Sequence, residues 1–231
     1  AIVSPSVIFK NVDEIYNLAT PSTLRYEQGA EVATLKVNII GTLNCLEVAR
    51  HRRSRILFAS SGDVYGAQRQ QSMREDSPFG PARSALAEGK RAAESLVRAY
   101  RDEYQVDGKI ARIFNTYGTG ADTSDQRVVA KMIVEALTGQ NISIYGSGEQ
   151  LRTFCWVGDV VDALIRLMNR LPDVEVPTVN IGSNHEISIR ALAEKIISIT
   201  GSRSKIIHLG ARNDDPRHKS PDISHARQML D

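Results

Sequence analysis

Among the side chains of this 231-residue sequence that can hold and move a proton are the Ser61 hydroxyl, the Asp63 carboxylate and the Lys90 amine. Ser61 and Asp63 belong to FASSGDVYG (58–66), where an apolar run of strand length, RILFAS (55–60), gives way to a turn. Lys90 follows Leu86 by four residues in ALAEGKRAAESLVRAYRDEY (85–104), a stretch rich in Ala, Glu, Lys and Arg that reads as one long helix. Residues four apart lie on the same helical face. Each of the three has a plain alternative. Ser61 can cap the turn after its strand, Asp63 can accept from a loop amide, and Lys90 can be a solvated lysine.

Other chemistries find little support. G-x-S-x-G, H-E-x-x-H and Walker A patterns do not occur. His185, His208 and His218 fit no metal spacing, so no metal site is expected. Cys45 and Cys155 sit in apolar contexts and read as reduced core residues, with no histidine nearby in sequence to make a catalytic thiol. A net charge of +2 leaves no nucleic-acid footprint. No apolar run approaches the roughly 20 residues of a membrane span, and AIVSPSVIF has no basic stretch before a long apolar core. The expectation is a cytoplasmic protein without a nucleic-acid or membrane partner.

The elements that must position these residues alternate between strand and helix. Strands are expected at 12–19, 55–60, 108–115, 142–146, 152–157, 177–182 and 205–209. Helices are expected at 31–51, with Leu35, Ile39, Leu43 and Leu46 on its apolar face, and at 85–104, 127–139, 157–171 and 188–201. Ser188 is placed to cap the last of these and Gly201 to stop it. The stretch from Gly210 reads as a polar loop. Apolar strands alternating with helices predict a parallel sheet with helices on both faces. YGTGAD (117–122) and YGSGEQ (145–150) carry paired glycines without a third, and read as turns rather than as a dinucleotide-binding loop. No G-x-G-x-x-G occurs near the start.

IYNLATP, FASSGDVYG, AEGKRAAE, ARIFNTYG and YGSGEQLRTFCWVGDVVDAL, in this order, resemble the extended short-chain dehydrogenase/reductases. The likeness is to the NAD-dependent nucleotide-sugar epimerases and dehydratases, and within them to the UDP-glucuronate decarboxylases, toward which NIGS, EISI and DDPRHKSPD also lean. It runs from Val12 to Asp231. It implies an α/β fold: a Rossmann-like parallel sheet, its first strands missing, with a smaller C-terminal substrate-binding lobe. The expected division is 1–115 for the NAD side and 116–231, interleaved with it, for the sugar nucleotide.

The resemblance also implies roles. A tyrosinate, its pKa lowered by a lysine, takes a proton from a sugar hydroxyl as hydride leaves for NAD. Here the lysine is Lys90 and the orienting hydroxyl Ser61, but the tyrosine position holds Leu86. Gly62, Asp63 and Lys219 stand where the decarboxylase pattern has serine, glutamate and arginine. Tyr65 is structural in that pattern. Leu18, Ala19, Asn38, Thr116 and Arg127 would line the cofactor, with Lys90. Lys36, Asn115, Tyr145 and Arg152 would meet a UDP-sugar. Helices 31–51 and 85–104 would pair two copies as a homodimer, with alanines at 85, 87, 92 and 93 permitting close approach. These departures leave three readings: an NAD-dependent UDP-sugar enzyme, an inactive UDP-sugar-binding protein, or a remnant without activity.

Overall fold

The computed structural model describes residues 11–21, 29–67, 72–82, 84–172, 177–210 and 220–230. In chain order it has β1 (Glu14–Asn17), then α1 (Glu31–Lys36), which runs through a π-turn at Val37–Gly41 into α2 (Thr42–Arg52). β2 (Arg55–Ser61), β3 (Ser72–Met73), α3 (Ala85–Tyr104), β4 (Gly108–Ile113) and β5 (Thr116–Tyr117) follow. Next come α4 (Val128–Leu137), β6 (Ile142–Tyr145), β7 (Leu151–Thr153), β8 (Cys155–Trp156) and α5 (Val157–Asn169). The chain closes with β9 (Thr178–Ile181), β10 (Glu186–Ser188), α6 (Ile189–Thr200), β11 (Ile206–Leu209), β12 (Ser220–Pro221) and α7 (Ser224–Leu230).

β1, β2, β4 and β9 form, in that order, one all-parallel sheet. β2 sets its two cores. Ile56 and Phe58 point to one face, against Leu46, Ala93, Val97 and Ile110, beneath α2 and α3. Leu57 points to the other, against Val160, Leu164, Leu167 and Val179, beneath α5. Burial on both faces is why this strand reads as an unbroken apolar run. A third core, from Met132, Ile142, Ile144, Ile189, Ala193 and Ile196, joins α4, β6 and α6 into the lobe. Because β9 returns to the central sheet, the lobe and the sheet are interleaved along the chain. The expected α/β class with a parallel sheet is what the structure has.

The α1–α2 helix differs from expectation in an informative way. Its inward residues are Thr34, Asn38, Thr42 and Leu46, whereas Leu35, Ile39 and Leu43 are only half-buried. Inward positions four apart advance 400° per step in an α-helix at about 100° per residue, so three steps drift about 120° off the face. The wider π-turn at Val37–Gly41 absorbs that drift. The inward polar seam then holds the end of β1, with the Asn17 amide donating to Thr42 Oγ1 (3.1 Å) and Asn38 Nδ2 donating to Thr20 Oγ1 (3.0 Å). The same helix, Glu31–Arg52, has a mean hydropathy of 1.3 over its most apolar 18 residues. By length and composition it therefore does reach the membrane-span threshold, contrary to the sequence reading. It nonetheless packs on α3 and β1.

Two further expectations are corrected. The C-terminal stretch is not all loop: α7 is helical, and Ala226, Met229 and Leu230 pack against the core under α5. A polar sequence hid three apolar residues at helical spacing. The strand expected at 152–157 is two short strands, β7 and β8, with Phe154 between them.

Candidate active site

A cleft of about 1220 Å³ opens at the C-terminal ends of β1, β2 and β4, facing the lobe. Ligands of open parallel α/β sheets bind at this end of the strands. Its sheet-side wall carries Leu18, Thr20, Ser61, Asp63, Leu86 and Lys90. Its lobe-side wall carries Asn115, Thr116, Arg127, Lys131, Tyr145 and Arg152.

Ser61 is the last residue of β2 and caps the short 3-10 turn Gly62–Tyr65. Its hydroxyl accepts from the Asp63 amide (3.1 Å) and lies 3.2 Å from Asp63 Oδ2, to which it can donate. The capping role and a place in the cleft are therefore compatible. A Cβ at Gly62 would lie 2.8 Å from the Phe114 ring, so the aromatic ring occupies the space a serine would need here.

α3 starts where Ser84 accepts from the Ala87 amide at 3.2 Å, an ordinary N-cap. That start puts Leu86 and Lys90 on the cleft side, one turn apart. Lys90 is buried at 2% exposure and donates to the Ala59 carbonyl at 2.6 Å. Its ammonium sits 4.7 Å from the Phe58 ring centroid. Burial pulls its pKa down to about 8, against an opposing pull from Glu94. The solvated-lysine alternative is thus excluded.

Glu94 does not pair with Lys90. Its carboxylate accepts from Arg112 at 2.9 and 2.8 Å, from Ser60 at 2.6 Å and from Arg98 at 3.2 Å. Burial pushes this carboxyl up, but the Arg112 bonds and charge outweigh it and hold it below the usual range. Arg112 also donates to the Tyr65 hydroxyl (3.0 Å), which donates to Asn180 Oδ1 (2.6 Å). Tyr65, fully buried, is thereby a strut between strands, and it does not line the cleft.

On the lobe side, the Asn115 amide donates to the Thr153 carbonyl at 3.1 Å, and Thr116 donates to the Phe114 carbonyl at 3.0 Å. Arg127 precedes α4 and is gripped by Asp125, whose carboxylate accepts from its backbone N–H (2.9 Å) and its Nε (2.7 Å). Those bonds hold Asp125 below the usual carboxylate range. Lys131, one turn further on, donates to Ser143 at 2.7 Å and lies 5.7 Å from the Tyr145 ring centroid. Arg152 donates to its neighbour Leu151's carbonyl at 2.6 Å. Three cations on one wall suit an anionic ligand.

Not every expected residue meets here. Lys36 and Ala19 are exposed and do not line the cleft. Asn38 is fully buried and acts through Thr20, which does line it. Lys219 lies outside the described residues. Sequence reasoning missed Thr20, Phe114, Asp125 and Lys131. Asp125 had a signal, a carboxylate two residues before the arginine that opens a helix. Of the paired glycines, Gly120 and Gly146 lie in turns and Gly148 in a bend, while a Cβ at Gly118 would lie 2.3 Å from Val157 and one at Gly148 2.7 Å from Ile144.

Residues 6–182 match the NAD dependent epimerase/dehydratase family, and the chain belongs to it. A UDP-glucuronic acid decarboxylase of Danio rerio is 40% identical over 99% of this chain and 54% of its own length. One from Arabidopsis thaliana is 39% identical over 95% of this chain and 64% of its own. The chain thus spans between half and two thirds of these curated relatives. Among solved structures, a UDP-N-acetylglucosamine 4-epimerase from Methanobrevibacter ruminantium superposes with a TM-score of 0.90 at 25% identity, covering 98% of this chain and 73% of that one. MoeE5 in complex with UDP-glucuronic acid and NAD gives 0.84 at 28%, covering 96% and 73%.

The family is NAD-dependent, and the described residues fit one side of a dinucleotide site. Rossmann cofactors lie where strand order reverses. Here the strands are added in one direction only, with β1 at the edge and β2 its one partner among the described residues. The cleft beside β1 has a rigid floor. Asn38 Nδ2 bonds both Thr20 and the Thr34 carbonyl, while its Oδ1 is buried with no partner among the described residues. Leu18, Thr20 and Lys90 are the groups that would meet the cofactor.

Proposed function

We propose that this chain forms the substrate cleft and one cofactor wall of an NAD-dependent enzyme that modifies a UDP-sugar, with UDP-glucuronate as the substrate to test first. The observation that carries this reading is the cleft itself. Ser61 and Lys90 stand on its sheet side, and Arg127, Tyr145 and Arg152 stand opposite. In this reading Arg152 and Arg127 take the diphosphate, a task that suits guanidinium forks. Asn115 touches the same group, Tyr145 packs on the base, and Ser61 orients the reacting sugar hydroxyl. NAD, when bound, supplies the hydride acceptor. Residues 1–115 serve the cofactor side and most of 116–231 the sugar nucleotide. Two copies pair through the α1–α2 and α3 helices.

A second reading, UDP-sugar binding without turnover, rests on Leu86, which puts an isobutyl group in the cleft where the resemblance requires a phenol. Titration calorimetry with UDP-glucuronate, followed by mass spectrometry of the nucleotide sugar, separates the two. Binding with conversion supports the enzyme, and binding without it the inactive protein; absence of binding refutes both. R152A should weaken UDP affinity about 10- to 100-fold, as expected for losing a charge-assisted hydrogen bond.

A further inference from the structure

The geometry points to the Lys90 amine, rather than a phenol, as the group that accepts the substrate's proton in this cleft. The inference rests on the oxidative reading above and goes beyond it by naming the base. Lys90 is buried, lines the same cleft as Ser61 and, among the described residues, is held by one hydrogen bond, to the Ala59 carbonyl. That leaves it further N–H directions.

The charged groups around it are committed elsewhere. Glu94, one turn along α3, is held by Arg112, Arg98 and Ser60. Arg91, its neighbour, donates to the Val64 and Gly80 carbonyls. Asp63, on the turn after β2, is bonded to Ser61. Across the cleft Arg127 is paired with Asp125, and Lys131 stands 3.6 Å from Glu135. Glu94 still pulls the other way and the Phe58 ring face 4.7 Å away favours the charge, but burial, with Leu86 and the Phe114 ring in the same cleft, is the larger effect and makes a fraction of the amine neutral near pH 7. Burial already brings this lysine to about 8. The step balances: neutral Lys90 takes the hydroxyl proton, the carbon's hydride passes to NAD, the alcohol is oxidised to a ketone, and NADH and the Lys90 ammonium are formed.

The test uses the full chain. The lysines are dimethylated with ¹³C-formaldehyde and followed by NMR as pH is raised. The Lys90 resonance, identified by its loss in K90A, should titrate near 8; a midpoint among the surface lysines overturns the inference. Conversion of UDP-glucuronate should fall at least 100-fold in K90A with UDP affinity within about threefold. Added ethylamine should restore it in proportion to the neutral amine present, while K90R, which cannot give up its proton, should stay inactive. A K90A enzyme as fast as wild type, or an active K90R, refutes the base. Ligand binding without conversion by the wild type also refutes it. Failure to bind UDP-glucuronate overturns the substrate reading underneath, and the base with it.

Discussion

Lys90 couples the cleft's chemistry to its stability. The folded chain holds this ammonium less tightly than the unfolded chain, at about 8 against an ordinary 10.5. Below pH 8 both states are protonated and the cost of burying the charge is present in full. Between 8 and 10.5 the unfolded chain binds more protons, so stability rises with pH. Relative to K90M, the wild type should gain up to about 3 kcal/mol over that range, read from urea unfolding at both ends. A constant difference would mean the amine is not desolvated. Glu94 lies at the opposite extreme, a carboxylate whose removal leaves Arg112 buried and unpaired. E94Q should cost about 3–5 kcal/mol in the same measurement. Gly62 makes a third prediction. G62S pushes on the Phe114 ring at 2.8 Å, so it should destabilise by about 1–3 kcal/mol, and F114A should relieve much of that.

At the scale of elements, helix starts and stops were the most legible features. Ser188 caps α6 by accepting from the Ala191 amide at 3.1 Å, and Gly201 ends it in the left-handed region. S188A should therefore cost about 1 kcal/mol by thermal unfolding. α3 was read to its terminal residues because composition and period agreed. β2 and β4 were legible because strands buried on both faces show up as apolar runs. The α1–α2 helix was read partly on the wrong face: Leu46 is in the core as expected and Leu43 packs against it, but local periodicity also marked Leu35 and Ile39, while the fold turned Thr34, Asn38 and Thr42 inward. A buried polar seam carries no hydrophobic signal. Much of the site was legible for a different reason: Ser61 and Lys90 stood in quotable motifs. Thr20 and Phe114 lay inside IYNLATP and ARIFNTYG without being given a role, and Lys131 lay outside every motif, because what brings all three to the cleft is sheet topology and lobe packing across long separations in the chain.

For the whole molecule, the half-buried stripe of that helix has a consequence for assembly. Val32 is 66% exposed and Ile40 37%, on a helix whose most apolar window is only a third buried. Ala87 and Ala93, by contrast, are spent on the chain's own packing and cannot serve a partner. Light scattering should find a dimer, and V32D/I40D should shift it to monomer with the far-ultraviolet spectrum kept. A wild type that stays monomeric at high concentration would count against helix pairing. The π-turn, finally, makes the helix a vernier between two fixed scales. Deleting one codon anywhere in 37–41 should yield a more regular helix and a worse protein. Either Thr20 would lose the amide that steadies it, or Leu46 would be turned out of the core. At this point the fold depends on the number of residues more than on which residues they are.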